Sequence, residues 1–131
     1  MVTTAGLHAV AGLTGYTDTP VAFTYIAYGS GTTAVATSDT ALQTQVGSRV
    51  VATDEAISIL KPNDTVRYSA QVLSTAAGTV SEIGVFTAAT GGTMLSRRLV
   101  VPPITYVAGA TVSLIATETV KNYACGTGAT W

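Results

Sequence analysis

Thr65-Val66-Arg67-Tyr68-Ser69-Ala70-Gln71-Val72, followed beyond Ala76-Ala77-Gly78 by the stretch from Thr79 to Thr87, decides how this chain folds. Val66, Tyr68, Ala70 and Val72 fall on one face and Arg67, Ser69 and Gln71 on the other, the period-two pattern of a half-buried strand. Asn63-Asp64 before it is turn chemistry. In the second stretch Ile83 and Val85 point one way and Glu82, Gly84 and Phe86 the other, so a second strand is expected, antiparallel to the first.

Working outward, Gly91-Gly92 supplies a turn and Thr93 to Val101 a third strand, which Pro102-Pro103 is expected to stop because proline cannot donate to a ladder. A fourth strand runs from about Ala110 to Val120, with Val112, Leu114 and Ala116 alternating against Thr111, Ser113, Ile115 and Thr117. Upstream, Thr3 or Thr4 is placed to cap a short helix over Ala5 to Leu13 that turns Leu7, Val10 and Ala11 inward. Val21 to Tyr28 reads as a strand ending at Gly29-Ser30-Gly31. Ser38 or Asp39 would cap a helical turn through Ala41, Leu42 and Val46, closed by Gly47, and Arg49 to Thr53 and Ala56 to Leu60 complete the strands. Short strands separated by turns, without strand-helix alternation, predict a mainly β protein, an antiparallel sandwich of jelly-roll-like form with a short N-terminal helix and one helical turn. Residues 1–120 are expected to form one domain, with 1–20 as an N-terminal arm and helix and 121–131 as a C-terminal tail.

Composition supports that class: Val, Ile and Thr supply 46 of 131 residues, and β-branched side chains suit a pleated surface. Only 10% of the chain is charged, six Lys plus Arg and seven Asp plus Glu, while 24 Thr and 9 Ser stand where Lys and Glu usually would. With 47% hydrophobic residues this is the opposite of a disorder signature. A net charge of -1 leaves no basic footprint for nucleic acid, and no apolar run is long enough to span a bilayer as a helix. Met1 to Leu13 lacks the cationic start of a signal peptide, so a soluble product of the cytoplasm is expected. One cysteine, Cys125, closes no internal disulfide and one histidine, His8, makes no His-rich metal site.

Candidate chemistry is sparse. His8 with Asp18 or Asp39 and a serine sketches a triad, but no G-x-S-x-G elbow accompanies it. Gly29-Ser30-Gly31-Thr32-Thr33 looks like a phosphate cradle without its lysine, and reads better as a turn using positive φ. Asp54-Glu55 with Asp64 suggests weak calcium ligation, against which stands simple solvation at a strand end. Cys125 has no neighbouring base. Tyr25 and Tyr28, with Tyr16, Tyr68, Tyr106 and Tyr123, would stack sugars if exposed, or lie half in a small core or at a subunit contact. Arg97 and Arg98 would form intersubunit ion pairs, or project one to each side of a strand into solvent. No catalytic, cofactor-binding or metal-binding residue is assigned, and a non-enzymatic protein is expected.

Three stretches in order complete the reading: Tyr25-Ile26-Ala27-Tyr28-Gly29-Ser30-Gly31-Thr32-Thr33-Ala34 with Ser38-Asp39-Thr40-Ala41-Leu42, then Glu82-Ile83-Gly84-Val85-Phe86, then Gly91-Gly92-Thr93-Met94-Leu95-Ser96-Arg97. This order resembles a group of small structural proteins of tailed bacteriophages and prophages, related to head-decoration and tail-fibre-associated proteins, which carry YIALGTGTTA…SDTAL followed by EIGVF…GGTLLAR. The resemblance covers about Ala5 to Val120. Tyr28 and Ser30 replace the commoner Leu and Thr, and Lys121 to Trp131 has no counterpart. It implies a virion protein that binds copies of itself, a trimer by analogy, and other virion proteins, foremost the major capsid protein as a decoration or cement subunit. A tail-fibre or tail-tip module that binds a receptor or glycan is the alternative. A sparsely charged surface packs against neighbours with few charges to desolvate. In an assembly the charges should gather at rims or pair across contacts, and in a plain monomer they should be spread evenly.

Overall fold

The computed structural model describes residues 1–15, 21–59 and 65–119. Helix α1 spans Thr4–Gly15, and seven strands follow: β1 Tyr25–Gly29, β2 Gln45–Val51, β3 Thr53–Ile57, β4 Thr65–Leu73, β5 Gly78–Phe86, β6 Met94–Tyr106 and β7 Thr111–Thr119. Two antiparallel sheets, ordered β2-β1-β5-β6 and β3-β4-β7, face each other as a β-sandwich. The mainly β antiparallel class expected from strand periodicity is therefore the fold observed. Leu60, the Asn63-Asp64 turn, Val120 and the tail lie outside the described residues, as do Tyr16, Asp18, Tyr123 and Cys125.

The core lies between the sheets, where Ile26, Tyr28, Val80, Val85 and Leu95 of one meet Tyr68, Leu114 and Ala116 of the other. The alternations read from Thr65 and Ala110 carry over: Tyr68, Leu114 and Ala116 are buried, whereas Ser113 and Ile115 face out. The outer face of the four-stranded sheet is also covered, since Ala27, Phe86 and Met94 close over Leu42 from the connection between β1 and β2.

Several local expectations change. β4 and β5 do not form a hairpin: β4 pairs with β3 and β7, and β5 with β1 and β6, so residues 74–77 cross from one sheet to the other. Leu42 on one flank and the core on the other claim both faces of β5, which a two-stranded unit could not supply. No helical turn forms through Ala41, Leu42 and Val46; residues 38–44 are a loop, β2 begins at Gln45, and Gly47 sits at φ 67° within β2 opposite a register shift. The anchoring of that loop to β5, described below, outweighs its weak helical pattern. β1 is shorter than expected, β3 begins three residues before Ala56, and β2 starts four residues before Arg49.

Pro102-Pro103 does not end β6. The strand passes through a wide bulge in which Val80 pairs with Ile104 and Glu82 with Leu99, so Val100 to Pro103 stand opposite Ser81 alone. β6 is an edge strand, where a missing N–H costs no internal ladder bond. Helix α1 begins as expected, with Thr3 as its cap: the Gly6 amide donates to Thr3 Oγ1 (2.9 Å) and the Leu7 amide to Thr3 O (2.9 Å). Its buried side is set by Gly6, Ala9 and Val10 instead of Leu7, which is 58% exposed. Gly6 lies so close to the Leu95 carbonyl that a Cβ would overlap it. That contact seats Met1–Thr3 along the outer edge of β6, with the Thr3 amide donating to Leu95 O (2.9 Å) and the Arg97 amide to Met1 O (3.0 Å).

Candidate functional site

Two regions stand out, one dense in charge and one empty of it. The first lies on the outer face of β5 and β6. Glu82 is fully buried and Arg97 is 2% exposed, and Arg97 Nε donates to Glu82 Oε2 at 2.6 Å. Arg97 Nη1 donates to Asp39 Oδ2 (3.1 Å) and Nη2 to Thr33 O (3.0 Å). Glu82 also accepts from the backbone amides of Gly31 (3.2 Å), Gln43 (3.1 Å) and Thr44 (2.7 Å). The loop from Ser30 to Thr44 is thus stitched to the sheet through one carboxylate and one guanidinium.

Burial alone would raise the Glu82 carboxyl, but the Thr44 amide, the Arg97 side chain and the Gln43 amide outweigh it and hold it below the ordinary carboxylate range. Asp39 is lowered chiefly by the Ala36 amide, with Arg97 adding to it against burial. Arg97 is pushed up, since its bonds to Glu82 and Asp39 exceed the effect of burial. Each oxygen of the Glu82 carboxylate accepts two hydrogen bonds, so Glu82 is committed to holding the loop on the sheet. Gly29-Ser30-Gly31 does hold an anion, but the anion is the protein's own. Neither glycine has positive φ; Gly31 is required because a Cβ there would fall 2.5 Å from Glu82 Oε1 and Gln43 Cβ.

The remaining sequence candidates are dispersed. His8 is exposed on α1, and Asp39 is committed to Arg97. Glu55 pairs with Arg67 on the surface, and neighbouring Asp54 lies opposite Tyr68 in the β3–β4 ladder, its carboxyl raised by desolvation. The two arginines do project to opposite sides of β6, yet neither is simply solvated, because each is paired within the chain. Arg98 donates to Glu118 Oε2 (3.1 Å) and to Thr117 O (3.0 Å) across the open side of the sandwich. Arg49 stacks over the Phe86 ring at 3.6 Å and donates to Ala88 O and Gly91 O. Of the six tyrosines, the four described are not exposed: Tyr28 and Tyr68 are buried, Tyr25 and Tyr106 half-buried. Tyr28 and Tyr106 meet edge to face with centroids 5.8 Å apart and hydroxyls at 3.3 Å. Burial pushes the Tyr28 and Tyr68 hydroxyls up to about 12.

The second region is the end of the sandwich where β4 hands over to β5 and β6 to β7. No charged residue occurs from Tyr68 to Ser81 or from Leu99 to Thr117. Leu73, Ile104 and Val107 are each more than half exposed there, as are Val101 and Ile115 farther along β6 and β7. A cleft of about 370 Å³ opens between Val46, Leu73 and Tyr106, and a groove of about 490 Å³ runs between β6 and β7, walled by Val80, Ile83, Val100, Ile104 and Leu114. Sequence reading placed Ile115 on the outward face but had no means of joining Ile104 and Ile115 along one groove, because their proximity comes from the facing of β7 to β6. The chain matches no family model, no curated protein and no solved structure.

Proposed function

We propose that this chain is a non-enzymatic structural subunit of a tailed-bacteriophage virion, a capsid decoration or cement protein that associates with copies of itself and with the major capsid protein. The observation that carries this reading is the separation of charge from apolar surface. Seven of the nine described charged side chains, Asp39, Glu55, Arg67, Glu82, Arg97, Arg98 and Glu118, are spent in ion pairs within the chain. The end where β4 hands over to β5 and β6 to β7 presents Leu73, Ile104 and Val107 with no charge among them. Contiguous exposed apolar surface marks interaction sites, and covering a neutral surface strips water from no unpaired charge. The resemblance of the Tyr25–Leu42, Glu82–Phe86 and Gly91–Arg97 stretches supplies the virion setting.

The alternative, a glycan-reading tail module, needs exposed aromatic platforms, and none of the described tyrosines is exposed. Adding the purified chain to phage heads that lack decoration, and imaging them by electron microscopy, tests the reading. Saturable, symmetric density on the head is expected. Bare heads together with saturable binding to cell-surface polysaccharide would move the protein to the tail.

A further inference from the structure

A β-sandwich with open sheets has four edges, and natural proteins protect such edges against strand addition. Three are protected here. β6 is covered by Met1–Thr3 along Leu95–Arg97 and then loses two donors at Pro102-Pro103. β2 is distorted by a register shift around Gly47. β3 is five residues long and carries Asp54 and Glu55. β7 is different: nine residues, paired only with β4 among the described residues, and without charge until Glu118.

The direction of its free groups follows from two bonds. The Ser74 amide donates to Ala110 O (2.8 Å), extending the β4–β7 ladder, and Arg98 reaches Thr117 O (3.0 Å) from the other side. Bonding alternates along an antiparallel strand, so Val112, Leu114 and Ala116 bond to β4 while Thr111, Ser113 and Ile115 aim N–H and C=O groups away from it. The turn at Gly109-Ala110 limits this stretch at one end and the Arg98–Thr117 bond limits it at the other. Its midpoint is Ser113.

The geometry points to β7 as the site where a second copy of this chain adds its own β7, antiparallel about a two-fold axis at Ser113, joining two three-stranded sheets into one of six strands. Thr111 then pairs with Ile115 of the second copy and Ser113 with its own equivalent, giving about six backbone bonds from three residue pairs. The occupant is a second copy because the edge is neutral from Leu99 to Thr117: a charged partner finds nothing complementary there, and an identical edge buries no charge. Seven residues at about 3.4 Å give an edge about 24 Å long, and two sheet layers with their side chains make it about 20 Å deep. That is about 500 Å² per copy and about 1,000 Å² in all, the lower bound of a specific interface. Arg98 and Glu118 fall at its rim. The contact is weak and suited to reinforcement on a particle, and it closes at two copies where the resemblance implies three. It rests on the assembly reading above, naming the face that reading uses.

Sedimentation of the full chain across the micromolar range tests it. A dimer of twice 13.3 kDa is expected, with slower exchange of the Ser113 and Ile115 amides as concentration rises. Ser113→Pro removes an N–H that the β4 ladder does not use, and Ile115→Lys, at a side chain 57% exposed, adds an edge charge without touching the core. Each should weaken dimerisation by about tenfold or more, with the thermal melt of the Ile115→Lys protein unchanged. Ile115→Lys alone carries the test if Ser113→Pro does not fold. A monomer at every concentration, a trimer insensitive to Ile115→Lys, or amide protection independent of concentration would each overturn the pairing. A monomer that still decorates heads defeats the pairing and leaves the proposed function standing; a dimer that binds no heads does the reverse.

Discussion

The outer face of β5 and β6 and the free side of β7 are built from equally plain strands, yet they have opposite surfaces. On the first, Glu82 and Arg97 are buried under the Ser30–Thr44 loop, and every polar group is answered within the chain. On the second, Thr111, Ser113 and Ile115 present backbone groups and uncharged side chains that no described element covers. Three of the described charged side chains, Glu82, Arg97 and Asp39, lock that loop, while Glu55 with Arg67 and Arg98 with Glu118 pair elsewhere on the sandwich. Seven of the nine described charged side chains pair within the chain, some beneath the loop and some on the surface, and the stretches from Tyr68 to Ser81 and from Leu99 to Thr117 carry none.

The largest effect expected from breaking this contrast is at Arg97. Arg97→Ala strands Glu82 and Asp39 beneath the loop without their cation, and removing one member of a buried pair costs about 3–5 kcal/mol, read as a lower midpoint in urea. The double variant Arg97→Met with Glu82→Leu should recover part of that loss, since a paired apolar replacement leaves no orphaned charge; a double-mutant cycle showing simple additivity would disprove the coupling.

Acid should separate the two regions next. The folded Glu82 and Asp39 carboxyls titrate below their ordinary values of 4.5 and 3.8, so their stabilisation is complete above those values and is lost as pH falls through the folded ones. Loss of protection at the Gly31, Gln43 and Thr44 amides, measured against their intrinsic exchange rates at each pH, is the expected signature on acidification. The β7 edge from Thr111 to Ile115 holds no titratable group, so its amides should not follow.

A smaller change would turn a protected edge into an open one. Gly6→Ala places a methyl against the Leu95 carbonyl, forcing Met1–Thr3 off β6 at a cost of about 1–3 kcal/mol despite the better helix propensity of alanine. Concentration-dependent aggregation that wild type lacks should accompany the lower melting temperature. The least effect is expected at the exposed Arg67–Glu55 pair, where Glu55→Gln should cost no more than about 1 kcal/mol and the loss should shrink with added salt.

Much of the fold was legible because period-two alternation is a local property. Thr65–Leu73 and Thr111–Thr119 emerge almost residue for residue, Thr3 caps α1, and Ile115 stands outward as the pattern says. The misreadings occur where distant partners overrule local chemistry. Ser38–Val46 carries helix signals, but three amides around it are claimed by Glu82. Pro102-Pro103 signals a stop, but an edge strand loses no partner by passing through it. Glu82 and Arg97 were visible as isolated charges; their union depends on the β5–β6 register that sets Gly84 opposite Arg97 and Glu82 opposite Leu99, one step apart on the same face.

By itself, then, the amino-acid order determined that this chain is β, nearly neutral and rich in hydroxyls, because side-chain volume, branching and alternation act on the residues that carry them. Tertiary structure alone decided which strands share a sheet, that the loop after β1 is held by Glu82 and Arg97, and that β7 is paired on one side only among the described residues. Those outcomes depend on pairings between residues 15 to 96 positions apart, such as Arg97 with Glu82 and Met1 with Arg97, which no local pattern encodes.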